Sequence, residues 1–372
     1  IMHVALGGCL RGTPRYGLTE DTGGHITYTL GEAYAMARRA DVAHCEIVTR
    51  LFDDERLGEI HANPVEQVAP KLTITRIDSG DRRYLVKEAL AADRAAFTCA
   101  LIRELRERDR LPDAIHAHFS DAADVALKVR EALDIPVIYT PHSLGRDKVA
   151  SGCAASADLA ARLAEEDRAI GGADAVIASS RDECERQVTS YPSSRVERIW
   201  RVHPGIEQTP ASDADRAAAR ELIAPFLRAP EKPMILAIAR PVRKKNLAGL
   251  VEAFGQHLQL RHQANLVLLP GLRRSLECGE AEQVLVLREL VDLIDRHDLH
   301  GSVAYPRQHN LHTVRGLYSI AAQSGGVFCN PPMFEPFGLT ILEAAAHHLP
   351  VVATSRGGPS DIVGELQHGL VV

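Results

Sequence analysis

Short apolar runs alternate with amphipathic stretches along almost the whole chain, and this alternation constrains the fold more than any other feature. Ile1–Leu6, Glu46–Thr49, Leu72–Ile77, Ala114–His118, Val137–Thr140, Ala175–Ala178 and Ile199–Val202 read as strands. Between them lie helical patterns at Tyr28–Arg39, Ala89–Arg106, Ala122–Ala132 and Leu159–Ile170. Strands separated by helices of this length predict a parallel α/β sheet with helices on its faces.

The pattern breaks once. Residues 203–230 lack strand runs and carry Pro204, Gly205, Pro210, Pro225 and Pro230. A second series then begins at Met234–Ala239 and continues through Leu266–Leu269, Ser302–Tyr305, Gly326–Cys329, Val351–Ala353 and Leu370–Val372. Its helices are expected near Leu247–His257, Val284–Asp295, Val314–Ala322 and Leu339–His347. A chain of 372 residues exceeds a usual single core, so the expected division is 1–205, a linker at 206–232, and 233–372. Two Rossmann-like parallel-sheet domains of this kind would face a cleft, with ligands just beyond the carboxyl ends of the strands. The chain stops on a strand, so the second domain reads as truncated at its C-terminus.

Composition removes several classes. A formal charge of −6 supplies no general field for nucleic acid. No apolar run approaches the roughly 18 residues of a membrane span, and no signal-peptide pattern opens the chain. Seven cysteines without a C-x-x-C pair fit neither a zinc module nor a disulfide framework. A reducing, cytoplasmic setting is expected, with neither nucleic acid nor membrane as partner.

Four strand-end segments carry candidate chemistry. Asp21-Thr22-Gly23-Gly24-His25 precedes a helix, and its paired glycines let backbone approach a ligand, while Asp21 or Thr22 fits equally as a helix cap. Thr140-Pro141-His142-Ser143-Leu144-Gly145-Arg146-Asp147-Lys148 brings His, Arg and Lys to a strand end, as binding groups or as a solvated loop. Arg240-Pro241-Val242-Arg243-Lys244-Lys245-Asn246 follows the first strand of the second series; Arg240 and Lys245 can converge on a diphosphate, although surface lysine runs are common. Phe334-Glu335-Pro336-Phe337-Gly338-Leu339-Thr340-Ile341-Leu342-Glu343 spaces two carboxylates around a helix start. Gly338, Leu339 and Thr340 would offer first-turn N–H groups to phosphate, with Glu335 and Glu343 accepting from sugar hydroxyls. The two glutamates alone fit an acidic helix start as well. His116-Ala117-His118 puts two imidazoles on one strand face, but without a cysteine or carboxylate motif beside them no metal is expected. Asp213-Ala214-Asp215 reads as helix-start charge.

With these residues in order, the chain resembles the family 4 retaining glycosyltransferases of GT-B fold, and within them the sucrose-phosphate synthases. The resemblance runs through Asp21–His25, His142–Lys148, Arg240 with Lys245-Asn246, Gly301-Ser302-Val303-Ala304-Tyr305-Pro306, Glu335–Glu343, Leu349-Pro350 and Gly357-Gly358-Pro359. It implies that the first domain binds the acceptor and the second the nucleotide sugar. Arg240 and Lys245 would hold the donor diphosphate, Glu335 the transferred sugar and Glu343 the ribose. Gly23, Gly24, Phe337, Gly338, Leu339 and Thr340 would complete the donor site, and His142 would approach the donor sugar. Gly24, His25, Lys87, Lys148 and Arg162 match positions associated with fructose 6-phosphate.

The implied reaction is transfer of glucose from UDP-glucose to fructose 6-phosphate with retention, giving sucrose 6-phosphate. It needs no permanently bound cofactor and no metal, and a separate sugar-phosphate phosphatase would be a natural partner. Transfer of mannose from GDP-mannose to the same acceptor shares most of the motifs, and a non-catalytic phosphosugar-binding protein is a reading of another class. Two departures bear on specificity: His25 stands where sucrose-phosphate synthases usually have Gln, and Gly271-Leu272-Arg273-Arg274-Ser275 replaces a polar Gly-Asn-Arg-Asp-Asp segment.

Overall fold

The structure is a computed structural model that describes residues 1–13, 19, 23–146, 157–206, 209–277 and 279–372, without the side chains of 88 and 157. The chain divides into two compact units, with the change at Gly205–Ile206. In the first unit the strands are β1 (Met2–Val4), β2 (Cys45–Arg50), β3 (Val65–Ala69), β4 (Leu72–Ile77), β5 (Ile115–His118), β6 (Val137–Thr140), β7 (Ala175–Ala178) and β8 (Ile199–Arg201). They form one sheet in the order β3-β4-β2-β1-β5-β6-β7-β8. All its pairings are parallel except β3 with β4. The principal helices of this unit are α1 (Gly24–Ala37), α2 (Leu90–Arg106), α3 (Phe119–Leu133) and α4 (Ala157–Gly172).

Spacing explains the helix packing. Phe97, Leu101 and Leu105 recur every four residues on α2, and all three are buried against Met2, Val4, Ile115 and Ala117 of the central strands. Each such side chain contributes roughly 1.5–3 kcal/mol by leaving water. Strand β3 is absent from the sequence reading because Val65-Glu66-Gln67-Val68-Ala69 is a largely solvent-facing edge with no clean alternation. It is held by its antiparallel ladder and by Arg76 Nη2, which donates to Glu66 Oε2 at 2.6 Å and to the Leu10 carbonyl at 3.0 Å.

The second unit has β9 (Met234–Ile238), β10 (Asn265–Leu269), β11 (Val303–Ala304), β12 (Val327–Asn330), β13 (Val351–Ala353) and β14 (Gly369–Val371), in the order β11-β10-β9-β12-β13-β14. Its helices are α5 (Asp213–Ile223), α6 (Leu247–Gln256), α7 (Leu258–Gln263), α8 (Ala281–Arg296), α9 (Leu311–Gln323), α10 (Leu339–Ala346) and α11 (Pro359–Leu366).

The stretch expected as a linker, 206–232, is part of this unit. Ser212 and Asp215 form a capping box at the start of α5, and Ala219 and Ile223 bury against the core beside α9. The helix is short and flanked by prolines, which hid its amphipathic face. Gly316 of α9 is what permits the contact, since a Cβ there would lie 2.1 Å from the Asp215 carbonyl oxygen. Asp215 of the D-x-D segment also accepts from His312 Nδ1 at 2.9 Å, a helix-start role. Among the described residues no helix is long and apolar enough to cross a membrane.

Candidate functional site

In the second unit, residues 240–246 leave the carboxyl end of β9 and enter α6 through a tight turn at Arg243–Lys245. Asn246 closes that turn with a left-handed φ of 52°, and its Nδ2 donates to the Pro331 carbonyl at 3.2 Å. The Met333 N–H donates to the Lys244 carbonyl at 3.0 Å. The basic turn is thereby fastened to the loop after β12. Lys245 Nζ consequently sits 2.5 Å from Glu335 Oε2, with side-chain exposures of only 18% and 12%. Two residues that the sequence separates by ninety positions meet in one partly desolvated ion pair.

The backbone of Glu335 is equally fixed. Its N–H donates to the Arg356 carbonyl at 3.1 Å, and its own carbonyl accepts from Gly358 N–H at 3.0 Å. Gly357 adopts φ +99°, and a Cβ there would lie 2.0 Å from the Glu335 oxygen, so only glycine fits. This is the physical content of the Gly357-Gly358-Pro359 segment.

Helix α10 follows, entered through Gly338 at a left-handed φ of 106° with no side-chain cap. Glu343, five residues in, accepts from Tyr318 Oη at 2.8 Å. Burial raises its carboxyl to about 7, and the Tyr318 hydrogen bond only partly offsets this. Phe337, expected near the donor, is buried in the core of the unit. Arg240 lies in the loop immediately beyond β9. The departure at 271–275 is partly structural: Arg273 is buried, donates to the Pro306 carbonyl at 3.0 Å and packs 5.7 Å from the Tyr305 ring.

The first unit gathers its candidates at the amino end of α1 and the carboxyl ends of β5 and β6. His142 is the centre of a γ-turn, with Ser143 N–H donating to the Pro141 carbonyl at 2.7 Å and φ at +58°. A non-glycine residue held there marks local strain of the kind that accompanies binding sites. Phe119, at φ +72°, is strained beside it.

The rings of His25 and Phe119 are 5.1 Å apart, those of Phe119 and His142 4.9 Å, and those of Tyr28 and His142 4.8 Å. Lys87 Nζ lies 4.4 Å over Phe119. Burial, reinforced by neighbouring imidazoles and Lys87, keeps His142 well below the ordinary histidine range, so it is neutral near pH 7. Phe119 and Tyr28 are the residues that sequence reasoning missed, and the aromatic after the H-x-H strand end was the available signal.

Arg162 is committed within this unit. Its Nε donates to Glu166 Oε1 at 2.7 Å and its Nη2 to the Ser143 carbonyl at 3.0 Å. Glu166 also accepts from Gly145 N–H and from Tyr191 Oη. Arg162 thus braces the loop after His142. Gly23 caps α1 from extended backbone, and Gly24 is its first residue. Asp21, Thr22, Asp147 and Lys148 lie outside the described residues.

Residues 23–209 match the family model Glycosyltransferase Family 4, and residues 219–372 match Glycosyl transferases group 1. A probable sucrose-phosphate synthase 1 from Oryza sativa is 33% identical across all of this chain, which spans 41% of the rice protein's length. A solved sucrose-phosphate synthase from Thermosynechococcus elongatus is 25% identical with a TM-score of 0.77, over 100% of this chain and 85% of that one. Anabaena HepE, solved in complex with UDP-glucose, shares the fold at 17% identity and a TM-score of 0.66, over 100% and 84% of the two chains.

Proposed function

The chain belongs to glycosyltransferase family 4, with the GT-B fold, and on that premise we propose that it transfers glucose from UDP-glucose to fructose 6-phosphate, giving sucrose 6-phosphate. One observation supports the reading: in a chain similar to sucrose-phosphate synthases over its full length, Lys245 pairs with Glu335 in the second unit, and His25 and His142 both pack against Phe119 in the first. In the second unit Arg240 and Lys245 bind the donor diphosphate, Glu335 receives hexose hydroxyls and Glu343 the ribose. The first turn of α10 supplies N–H groups from Leu339 and Thr340 toward phosphate. In the first unit His142, neutral, hydrogen-bonds the donor sugar, while Gly24, His25, Lys87 and Lys148 receive the acceptor. Arg162 serves as a positioning residue for the His142 loop.

The anomeric carbon loses its bond to the UDP phosphate oxygen and gains one to the 2-oxygen of fructose 6-phosphate. The acceptor's proton passes to the departing phosphate on the same face, so configuration is retained. Charge growing on that phosphate is what Lys245 and Arg240 stabilise, by about 3–4 kcal/mol for a well-placed group. The ion pair with Glu335 holds Lys245 in position before the donor arrives.

A donor-by-acceptor activity matrix with product detection tests this. Sucrose 6-phosphate from UDP-glucose and fructose 6-phosphate is expected. Product from GDP-mannose alone would replace the donor, and binding of fructose 6-phosphate without turnover on any nucleotide sugar would replace the enzyme by a binding protein.

A further inference from the structure

Behind His142 the first unit holds a cluster that the transfer reaction does not use. His3 on β1 and His116 on β5 are register neighbours, and His118 lies two residues further along the same strand face. The three imidazoles are buried to 1% exposure or less. Glu32 of α1 covers them, with Oε1 3.1 Å from His116 Nδ1 and 22% of its side chain exposed. One ligating atom from each of His3, Glu32, His116 and His118 falls within 4.8 Å of the others.

We propose that His3, Glu32, His116 and His118 bind one divalent first-row transition ion, Zn²⁺ by preference.

Three observations support the site. First, His3 Nε2 and Glu32 Oε2 are buried without a hydrogen-bond partner among the described residues, and His116 Nδ1 meets Glu32 Oε1 at 3.1 Å. A buried carboxylate oxygen without a partner is destabilising, and a cation held by Glu32 offsets that cost.

Second, two of the spacings are close to those the ion needs. His116 Nδ1 to Glu32 Oε1 and His3 Nδ1 to His118 Nε2 are each 3.1 Å. Ligands about 2.0–2.1 Å from a tetrahedral zinc stand about 3.3–3.4 Å apart.

Third, two of the three nitrogens turned away from the centre are already engaged. His116 Nε2 meets Thr140 Oγ1 at 2.7 Å, and His118 Nδ1 meets His142 Nε2 at 2.8 Å. Outer partners of this kind fix the orientation and tautomer of metal-bound histidines. The partly exposed Glu32 provides a way in.

The arrangement reaches the sugar site. With its Nε2 on the metal, His118 must carry its proton on Nδ1 and donate it to His142 Nε2. His142 then keeps its own proton on Nδ1, so, on the proposed role of His142 toward the donor sugar, the ion sets the tautomer of that residue.

Metal analysis of the full chain, purified without chelator and passed over chelating resin, is the test. About one zinc per chain is expected, with an X-ray absorption first shell of nitrogen and oxygen only, at about 2.0–2.1 Å. Glu32→Gln and His116→Gln should each lower the retained metal at least tenfold. Should those variants fail to fold, Co²⁺ titration of the unaltered protein replaces them, and one equivalent with the visible absorption of four-coordinate cobalt is expected. Less than a tenth of an equivalent at purification, with no uptake of Zn²⁺ or Co²⁺ on titration, would overturn the proposal and leave a water-filled histidine cluster. Full retention of metal by folded Glu32→Gln and His116→Gln variants would overturn it equally.

Discussion

Glu343→Gln isolates a buried charge in the second unit. The folded carboxyl titrates near 7 instead of 4.5, chiefly because burial penalises its charge. A raised carboxyl binds more protons folded than unfolded, so its effect is nil below about pH 4.5 and grows as pH rises through 7. The displacement corresponds to about 3 kcal/mol of destabilisation, fully present above about pH 8. Glutamine keeps an oxygen that can accept from Tyr318 Oη but carries no charge. Any pH-independent cost of its amide cancels when the two proteins are compared across pH.

Urea unfolding at pH 4.5 and pH 8.5 should therefore show the variant gaining about 3 kcal/mol relative to the parent between the two conditions. In thermal melts of a unit this size that is roughly 6–12 °C. Parallel stability curves would refute the assignment of this destabilisation to Glu343. The same carboxylate is proposed to accept from a ribose, which favours its ionised form. UDP binding at pH 7 should then release about half a proton from the parent and none from the variant, read by calorimetry in buffers of different ionisation enthalpy. Equal release would separate ribose binding from Glu343.

Three further outcomes follow from the proposed roles and the local geometry. Lys245→Ala should lower kcat by about 10²–10³ with little change in the acceptor KM, whereas Lys87→Ala or Lys148→Ala should chiefly raise that KM; equal effects on both parameters would count against these roles. Gly357→Ala forces a Cβ against the Glu335 carbonyl and should cost at least about 2 kcal/mol in urea unfolding, with a loss below 0.5 kcal/mol arguing against the tight turn. Ser212→Ala should cost about 1 kcal/mol and Ser212→Gly only a few tenths, since both lose the cap but glycine suits the capping backbone.

Periodicity made much of the fold legible. The patterns at Leu72–Ile77, Val137–Thr140, Ala175–Ala178 and Val351–Ala353 coincide with strands, because a buried parallel strand is a continuous apolar run bounded by turns. Edge and cap elements were not legible, and for identifiable reasons. Strand β3 presents little apolar surface, while α5 and α11 are short and signalled mainly by their caps and prolines. Candidate positions beside strand ends were legible as positions, but the Lys245–Glu335 contact was not, since ninety residues separate the partners and a loop register decides whether they meet.

The histidines show why reading along the chain is a weak detector for this architecture. His116 and His118 look isolated because the nearest sequence neighbours offer no ligand. In a parallel sheet, however, residues at equal depth on adjacent strands are neighbours whatever their separation in sequence. The β1–β5 pairing sets His3 beside His116, and the helix that follows β1 carries Glu32 back over the same face. Aligning predicted strands by depth, before searching for ligands, brings His3, His116 and His118 together from the sequence; only Glu32, whose direction depends on helix rotation, needs coordinates. Strand-aligned searches should therefore expose donor sets that linear spacing rules discard, and metal analysis of this chain is a direct test of that inference.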